Sequence, residues 1–213
     1  MMTRHSLPDT LLMGYAAGAL PEAFNVVIAT HVSLSDDARA RLAAFEAVGG
    51  AVLDDETAPM ADDSLDRMMA RLDMLPQANA RAPEPSAGIF PAPLADYVSR
   101  DGRGIRWRSV GAGVKQAILR TDGKASVRLL RIPAGHAVPD HGHRGTELTL
   151  VLQGAFFDGN NRYGRGDIEV ADEATEHTPV AEAGMDCICL AATDAPLRFN
   201  KLIPRLAQPF LRI

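Results

Sequence analysis

Apolar and polar positions along this chain follow two different periods, and the change falls near residue 75. Before it, apolar residues recur at three- and four-residue spacing, the signature of one helix face. SLPDTLLMGYAAG places Asp9 near the start of an apolar run and Gly18 as a stop. PEAFNVVIATHVSL opens with Pro21 at a first-turn position and Glu22 beside it, which suits the helix dipole. SDDARARLAAFEAVGG offers Ser35 as N-cap, then Ala38, Leu42, Phe45 and Val48 along one face, and Gly49-Gly50 as terminator. DDSLDRMMARLDML carries Leu65, Met68, Met69, Leu72 and Leu75 at helical spacing. These four segments are too short to be stable as isolated helices, so a small bundle over 1–75 is expected.

PQANARAPEPSAGIFPAP, residues 76–93, holds five prolines and no period of either kind. It reads as a linker over 76–92. From residue 93 to 213 the period becomes two. VRLLRI, ELTLVL, DIEVAD and DCICLAA alternate between Gly and Pro punctuation, which predicts many short strands in a sandwich or barrel. The expected fold class is therefore α+β and multidomain.

Composition narrows the function. The 213 residues contain 46% hydrophobic residues, enough for a core. No apolar run approaches the ~20 residues of a membrane span, and the start lacks the pattern of a signal peptide, so a cytoplasmic protein without membrane contact is expected. Residues 1–80 hold 12 acidic against 5 basic side chains, a net charge of −7, whereas the remainder has 15 against 17, a net of +2. An acidic front half argues against nucleic acid and for solvation or a basic protein partner. The two cysteines, Cys187 and Cys189, are too few for a disulfide framework and read as small buried side chains on one face of a strand.

The chemistry concentrates in PDHGHRGTELTLVLQG, residues 139–154. His141 and His143 share one face of a strand end, with Cα atoms ~7 Å apart. Glu147 has the same parity but would lie ~13 Å from His143 on a straight strand, so the chain has to turn at Arg144-Gly145-Thr146 for it to join. A fourth ligand has to come from another strand. His177, beyond the Gly166-Asp167 turn, is the best candidate, because His136 has the wrong parity. Asp140 and Glu176 could support the ligands or be solvated loop carboxylates.

The run Gly135, five residues, His141, one, His143, three, Glu147, six, Gly154 resembles the first cupin motif without a gap, and Gly166 to His177 resembles the second. That resemblance implies a double-stranded β-helix barrel with His141, His143, Glu147 and His177 around one divalent ion. Zinc is expected, with Mn, Fe or Ni as alternatives.

An acidic helical bundle, a proline-rich linker and a cupin, in this order, resemble the ChrR-type anti-sigma factors of the singlet-oxygen response. THVSLSDDARA, APLADYV and DCICLAATDAPLRFN carry that resemblance besides the motif itself. It implies that the helices clamp a group IV (extracytoplasmic-function type) sigma factor. It also implies that the cupin senses an oxidative signal and causes release. The family's N-terminal zinc uses a histidine near the start, one at the His31 position, and two cysteines. Here Ser35 and Ala38 occupy the cysteine positions, and His5 or Ser6 the first. Neither serine nor alanine is a useful zinc ligand. No N-terminal zinc is expected, with His31 left as a helix-end residue and Ser35 as a cap. Two other readings are a cupin metalloenzyme of dioxygenase type with a vestigial helical arm, and a metal-stabilised binding module. Many cupins dimerise, so a homodimer is compatible with all three.

Overall fold

The computed structural model describes residues 3–55, 57–74, 88–94, 97–98, 104–119 and 121–199. Four helices come first: α1 (Asp9–Ala16), α2 (Glu22–Leu34), α3 (Asp36–Asp55) and α4 (Ser64–Asp73). Twelve strands follow: β1 (Arg108–Gly111), β2 (Val114–Leu119), β3 (Ser126–Ile132), β4 (His141–Gly142), β5 (Glu147–Gln153), β6 (Ala155–Asp158), β7 (Asn161–Gly164), β8 (Ile168–Ala171), β9 (Glu176–His177), β10 (Val180–Ala181), β11 (Cys187–Thr193) and β12 (Arg198–Phe199). The helix-then-strand order and the class expected from the periods are both present.

Local chemistry explains the helix ends. Gly18, at φ +65°, closes the end of α1 through its N–H to the Tyr15 carbonyl. Ser35 caps α3: its hydroxyl oxygen accepts the Ala38 N–H at 3.3 Å. Gly49-Gly50 does not end α3, which runs on to Asp55. A mid-helix glycine costs only about 1 kcal/mol relative to alanine, and neither glycine is followed by a left-handed turn here.

The strands form a six-stranded sheet, β1-β2-β3-β11-β5-β8, facing two three-stranded ones, β10-β6-β7 and β12-β4-β9. Alternation divides the large sheet into two faces. Leu148, Leu150 and Leu152 of β5, Val127 and Leu129 of β3, and Leu190 of β11 point away from the barrel. They share one core with Val27, Ile28 and Phe24 of α2. Helix α2 buries Ala23, Phe24, Val26, Val27, Ile28, Thr30 and His31, more than one face, because α1, α3 and the sheet all pack against it. The helices are thus not a free-standing bundle; α2 is a layer of the barrel's outer core. Phe90 and Leu94 join that core, so the end of the stretch read as a linker is buried, whereas 75–87 lies outside the described residues.

Helix α4 differs. Leu65, Met68, Met69 and Leu72 share a face as expected, yet each is at least half exposed. The α3 face is buried at Ala38 and Leu42 but exposed at Val48. No described residue covers this apolar surface.

Candidate metal centre

The opposite face of the sheet lines the barrel interior and builds the site. Strand β4 carries His141, which pairs directly across from His177 of β9. The chain then bends through Arg144-Gly145 and enters β5 at Glu147, the reversal that the ligand spacing requires. Asp194 holds the bend, accepting the Thr146 N–H at 2.9 Å. A side chain at position 145 would collide with that carboxylate, so close approach, not backbone dihedral, demands glycine here.

His141, His143, Glu147 and His177 are all buried and each offers one ligand atom within 4.8 Å of the others. The Nε2 of His177 lies 3.1 Å from that of His141 and 3.2 Å from that of His143. His141 Nδ1–H donates to the Pro139 carbonyl at 2.9 Å, and His177 Nδ1 faces Asp158 at 3.3 Å and Glu169 at 3.7 Å. Those partners place the proton on Nδ1 and leave Nε2 as a bare lone pair. Bare lone pairs facing one another repel unless a cation lies between them. Two nitrogens this far apart, each ~2.1 Å from a common ion, subtend about 95–100° at it, between octahedral and tetrahedral angles. The buried Nδ1 of His143 has no hydrogen-bond partner. The residues therefore fit a divalent ion, and the cluster can bind one.

Electrostatics agree. Burial lowers the pKa of His141 and of His143, opposed by the charge of Glu147, so both rings favour the neutral form that a metal needs. For His177 burial again opposes charge, but the hydrogen bond and charge of Glu169 outweigh it and the pKa rises. Thr149 donates its hydroxyl to Glu147 at 3.1 Å and holds that carboxylate in place.

Other expectations resolve differently. His136 is exposed and stays with the Ala134 carbonyl. Glu176 pairs with Arg198 at the surface, whereas Asp140 accepts the Thr178 hydroxyl and its charge acts on the His141 ring, favouring the protonated form. Asp158 and Glu169 contact His177 instead. Glu169 was legible in principle: in DIEVAD it is a carboxylate at the barrel-facing parity of a buried strand. Cys187 and Cys189 are fully buried, 3.5 Å apart, and Cys189 is held well towards the thiol, first by its hydrogen bond to Cys187 and then by burial. Met185 is exposed on a turn.

The helical module holds a second cluster of interest, around His31. Its side chain is fully buried, not a solvated partner for the helix dipole. Nδ1–H donates to the Gly166 carbonyl at 3.0 Å, and Nε2 lies 3.4 Å from the Ser6 hydroxyl. Ser35 contacts Thr3 and the Ala38 N–H, while His5 packs against Tyr163 with ring centroids 4.3 Å apart and the rings tilted by 35°. One imidazole with both nitrogens engaged, two hydroxyls and the Ala38 methyl do not make a zinc donor set.

A double-stranded barrel with three imidazoles and a carboxylate gathered inside it is a cupin with a candidate metal centre. Residues 98–195 match the family described as ChrR Cupin-like domain. The anti-sigma-E factor ChrR of Cereibacter sphaeroides is 61% identical over 217 residues, covering 100% of both chains. The crystal structure of Rhodobacter sphaeroides SigE in complex with the anti-sigma ChrR holds a chain 58% identical to this one. That similarity covers 90% of this chain and 99% of the other, at a TM-score of 0.78. KdgF from Halomonas sp. is 22% identical, with a TM-score of 0.40 over 46% of this chain and 92% of its own. This chain belongs to the ChrR family of anti-sigma factors.

Proposed function

We propose that this chain sequesters a group IV (extracytoplasmic-function type) sigma factor in the cytoplasm and releases it on an oxidative, singlet-oxygen-like signal. Residues 1–75 serve as the sigma-holding module, 76–92 as the connection and 93–213 as the sensing cupin. The observation that carries the reading is the apolar face of α3 and α4. Val48, Val52, Leu65, Met68, Met69 and Leu72 stand exposed, among the acidic side chains Asp62, Asp63, Asp66 and Asp73. An apolar stripe with an acidic rim suits a basic partner with apolar pockets. That a 58% identical chain crystallised in complex with SigE supports the same reading.

In the barrel, His141, His143, Glu147 and His177 would hold one divalent ion, with zinc the best suited to three imidazoles and a carboxylate. A bound ion would supply a Lewis-acid centre at the floor of the barrel. The chain's own residues set the terms: Pro139 fixes the tautomer of His141, Asp158 and Glu169 that of His177, and Thr149 orients Glu147. The helical module folds without the family's N-terminal zinc, the hydrogen bonds of His31 and Ser35 taking the place of metal bonds.

Co-expression with a group IV sigma factor encoded in the same genome tests the reading. A tagged full-length chain should retain the sigma factor in equal amount and contain one metal ion per chain. Failure to retain it, with the chain folded and metal-loaded, would sink the anti-sigma assignment.

A further inference from the structure

The barrel interior holds a cavity of about 290 Å³ lined by three of the four candidate ligands, His141, Glu147 and His177. Its walls are mostly apolar, with Val114, Leu130, Ile132, Val138 and Phe156 among them. Arg128 of β3 projects into it and is only 5% exposed. Two contacts are made by the guanidinium: Nη1 to Gln116 at 3.3 Å and Nη2 to Ser126 at 2.9 Å. Both acceptors are neutral. No carboxylate among the described residues lies within ion-pair distance of this buried cation. Burial without a contacting counter-ion lowers the Arg128 pKa, with the more distant charge of Glu147 opposing, and the guanidinium has five N–H donors to satisfy.

Sheet register shows what stands between Arg128 and the candidate metal ligands. Arg128 pairs with Ala191, and Ala191 pairs with Thr149, two residues along the same face from Glu147. With strands ~4.8 Å apart, the Arg128 and Glu147 Cα atoms are roughly 12 Å distant, and both side chains point inward. Strand β11 sets only the Ala191 methyl beside Arg128, with Thr149 and Thr193 flanking the line to Glu147, and Ala191 and Thr149 both line the cavity that lies between the guanidinium and the cluster.

We propose that this cavity binds a small organic carboxylate, its head group bridging the Arg128 guanidinium and the ion held by His141, His143, Glu147 and His177, its apolar tail lying among Leu130, Ile132 and Phe156. The inference rests on the metal reading of the cluster. With a divalent ion in place, and Glu147 and Glu169 both counted as ionised, the cavity floor with Arg128 carries a net charge of +1. Without the ion it carries −1. An anion is thus bound only by the loaded barrel. A planar carboxylate matches the fork of an arginine, and its oxygens are ordinary ligands for such ions. The volume sits at the small end of ligand sites, which excludes long chains and large ring systems.

The test uses full-length, zinc-loaded protein and calorimetric titration with hexanoate. Hexanol shares the tail without the charge, and acetate shares the head without the tail. Hexanoate should bind at least tenfold more tightly than either, and chelation of the metal should abolish its binding. Arg128→Met should weaken hexanoate at least tenfold while leaving one zinc per chain. Ala191→Leu, which fills that part of the cavity and leaves every charge in place, should do the same and guards against a misfolded arginine variant. One zinc per chain together with no hexanoate binding, or equal binding to both variants, overturns this inference and leaves the metal reading standing. Absence of zinc from the folded chain overturns the metal reading itself, and with it this one.

Discussion

His31 near the end of α2 donates its Nδ1–H to the carbonyl of Gly166, 3.0 Å away in the turn that leads into β8. Two residues beyond Gly166, the Ile168 N–H returns to the His5 carbonyl, and Asp167 between them accepts the Arg4 and His5 N–H groups. The next residue is Glu169, which faces His177 in the metal cluster. Besides the core that α2 shares with the sheet, the module that would hold sigma and the candidate metal cluster are therefore linked through one short strand, β8.

Stability at that junction should depend on pH. Burial lowers the His31 pKa, with the Gly166 hydrogen bond and the charge of Asp167 opposing. The folded protein then binds fewer protons than the unfolded chain once pH drops below the ordinary histidine value of ~6.5. Stability contributed by neutral His31 is complete above that value and is lost as pH falls towards the lowered folded pKa. Urea unfolding of metal-free protein between pH 5 and 8 should show stability falling with acidity, and His31→Gln should flatten the slope by at most one proton, about 1.4 kcal/mol per pH unit. An unchanged slope in the variant would remove His31 from the account.

Metal affinity should depend on the carboxylates behind His177. Glu169→Gln removes the charge that orients the ring, and a loss of 10–100-fold in zinc affinity is expected from competition with a chelator. In wild-type protein the same titration should weaken as pH falls, with the onset above the ordinary histidine value of ~6.5. His177 protonates first, because its pKa is raised while those of His141 and His143 are lowered. Equal affinity at pH 5 and pH 7.5 would contradict the three-imidazole assignment.

The exposed face of α4 should matter to the partner and not to the fold. Met68→Asp and Leu72→Asp alter side chains that are each 52% exposed. Each should weaken sigma binding at least tenfold by surface plasmon resonance, while the free protein's stability stays within about 0.5 kcal/mol of wild type. Normal affinity in both variants would move the interface elsewhere.

Leu129 lies on the outer face of β3, in the core shared with α2. Leu129→Ala should cost about 2–5 kcal/mol. Because helix and sheet share that core, helical and near-ultraviolet circular dichroism should melt together in both proteins. Two separated transitions would mean that the module and the barrel fold independently.

Much of this was legible in the residues. Period, cap and turn chemistry placed the four helices and the strands β3, β5, β8 and β11, because each signal is local, but did not mark the six-residue β2. Ligand spacing singled out the residues that converge at the site, since parity on a strand and the need for a turn at Gly145 are also local. What the residues alone did not reveal is long-range. The contact of α2 with Leu148 and Leu190, the junction of His31 with Gly166, and the inward aim of Arg128 and Glu169 depend on which elements meet. Even so, a charged side chain at the inward parity of VRLLRI or DIEVAD was the available clue to the last two.

The most direct test of the central claim is run-off transcription by core polymerase and a group IV sigma factor from the same genome. Adding this chain in equimolar amount to sigma should suppress the sigma-dependent transcript at least tenfold and leave transcription by the housekeeping sigma factor untouched. Full sigma-dependent transcription in the presence of a tenfold excess of folded, metal-loaded protein would contradict it.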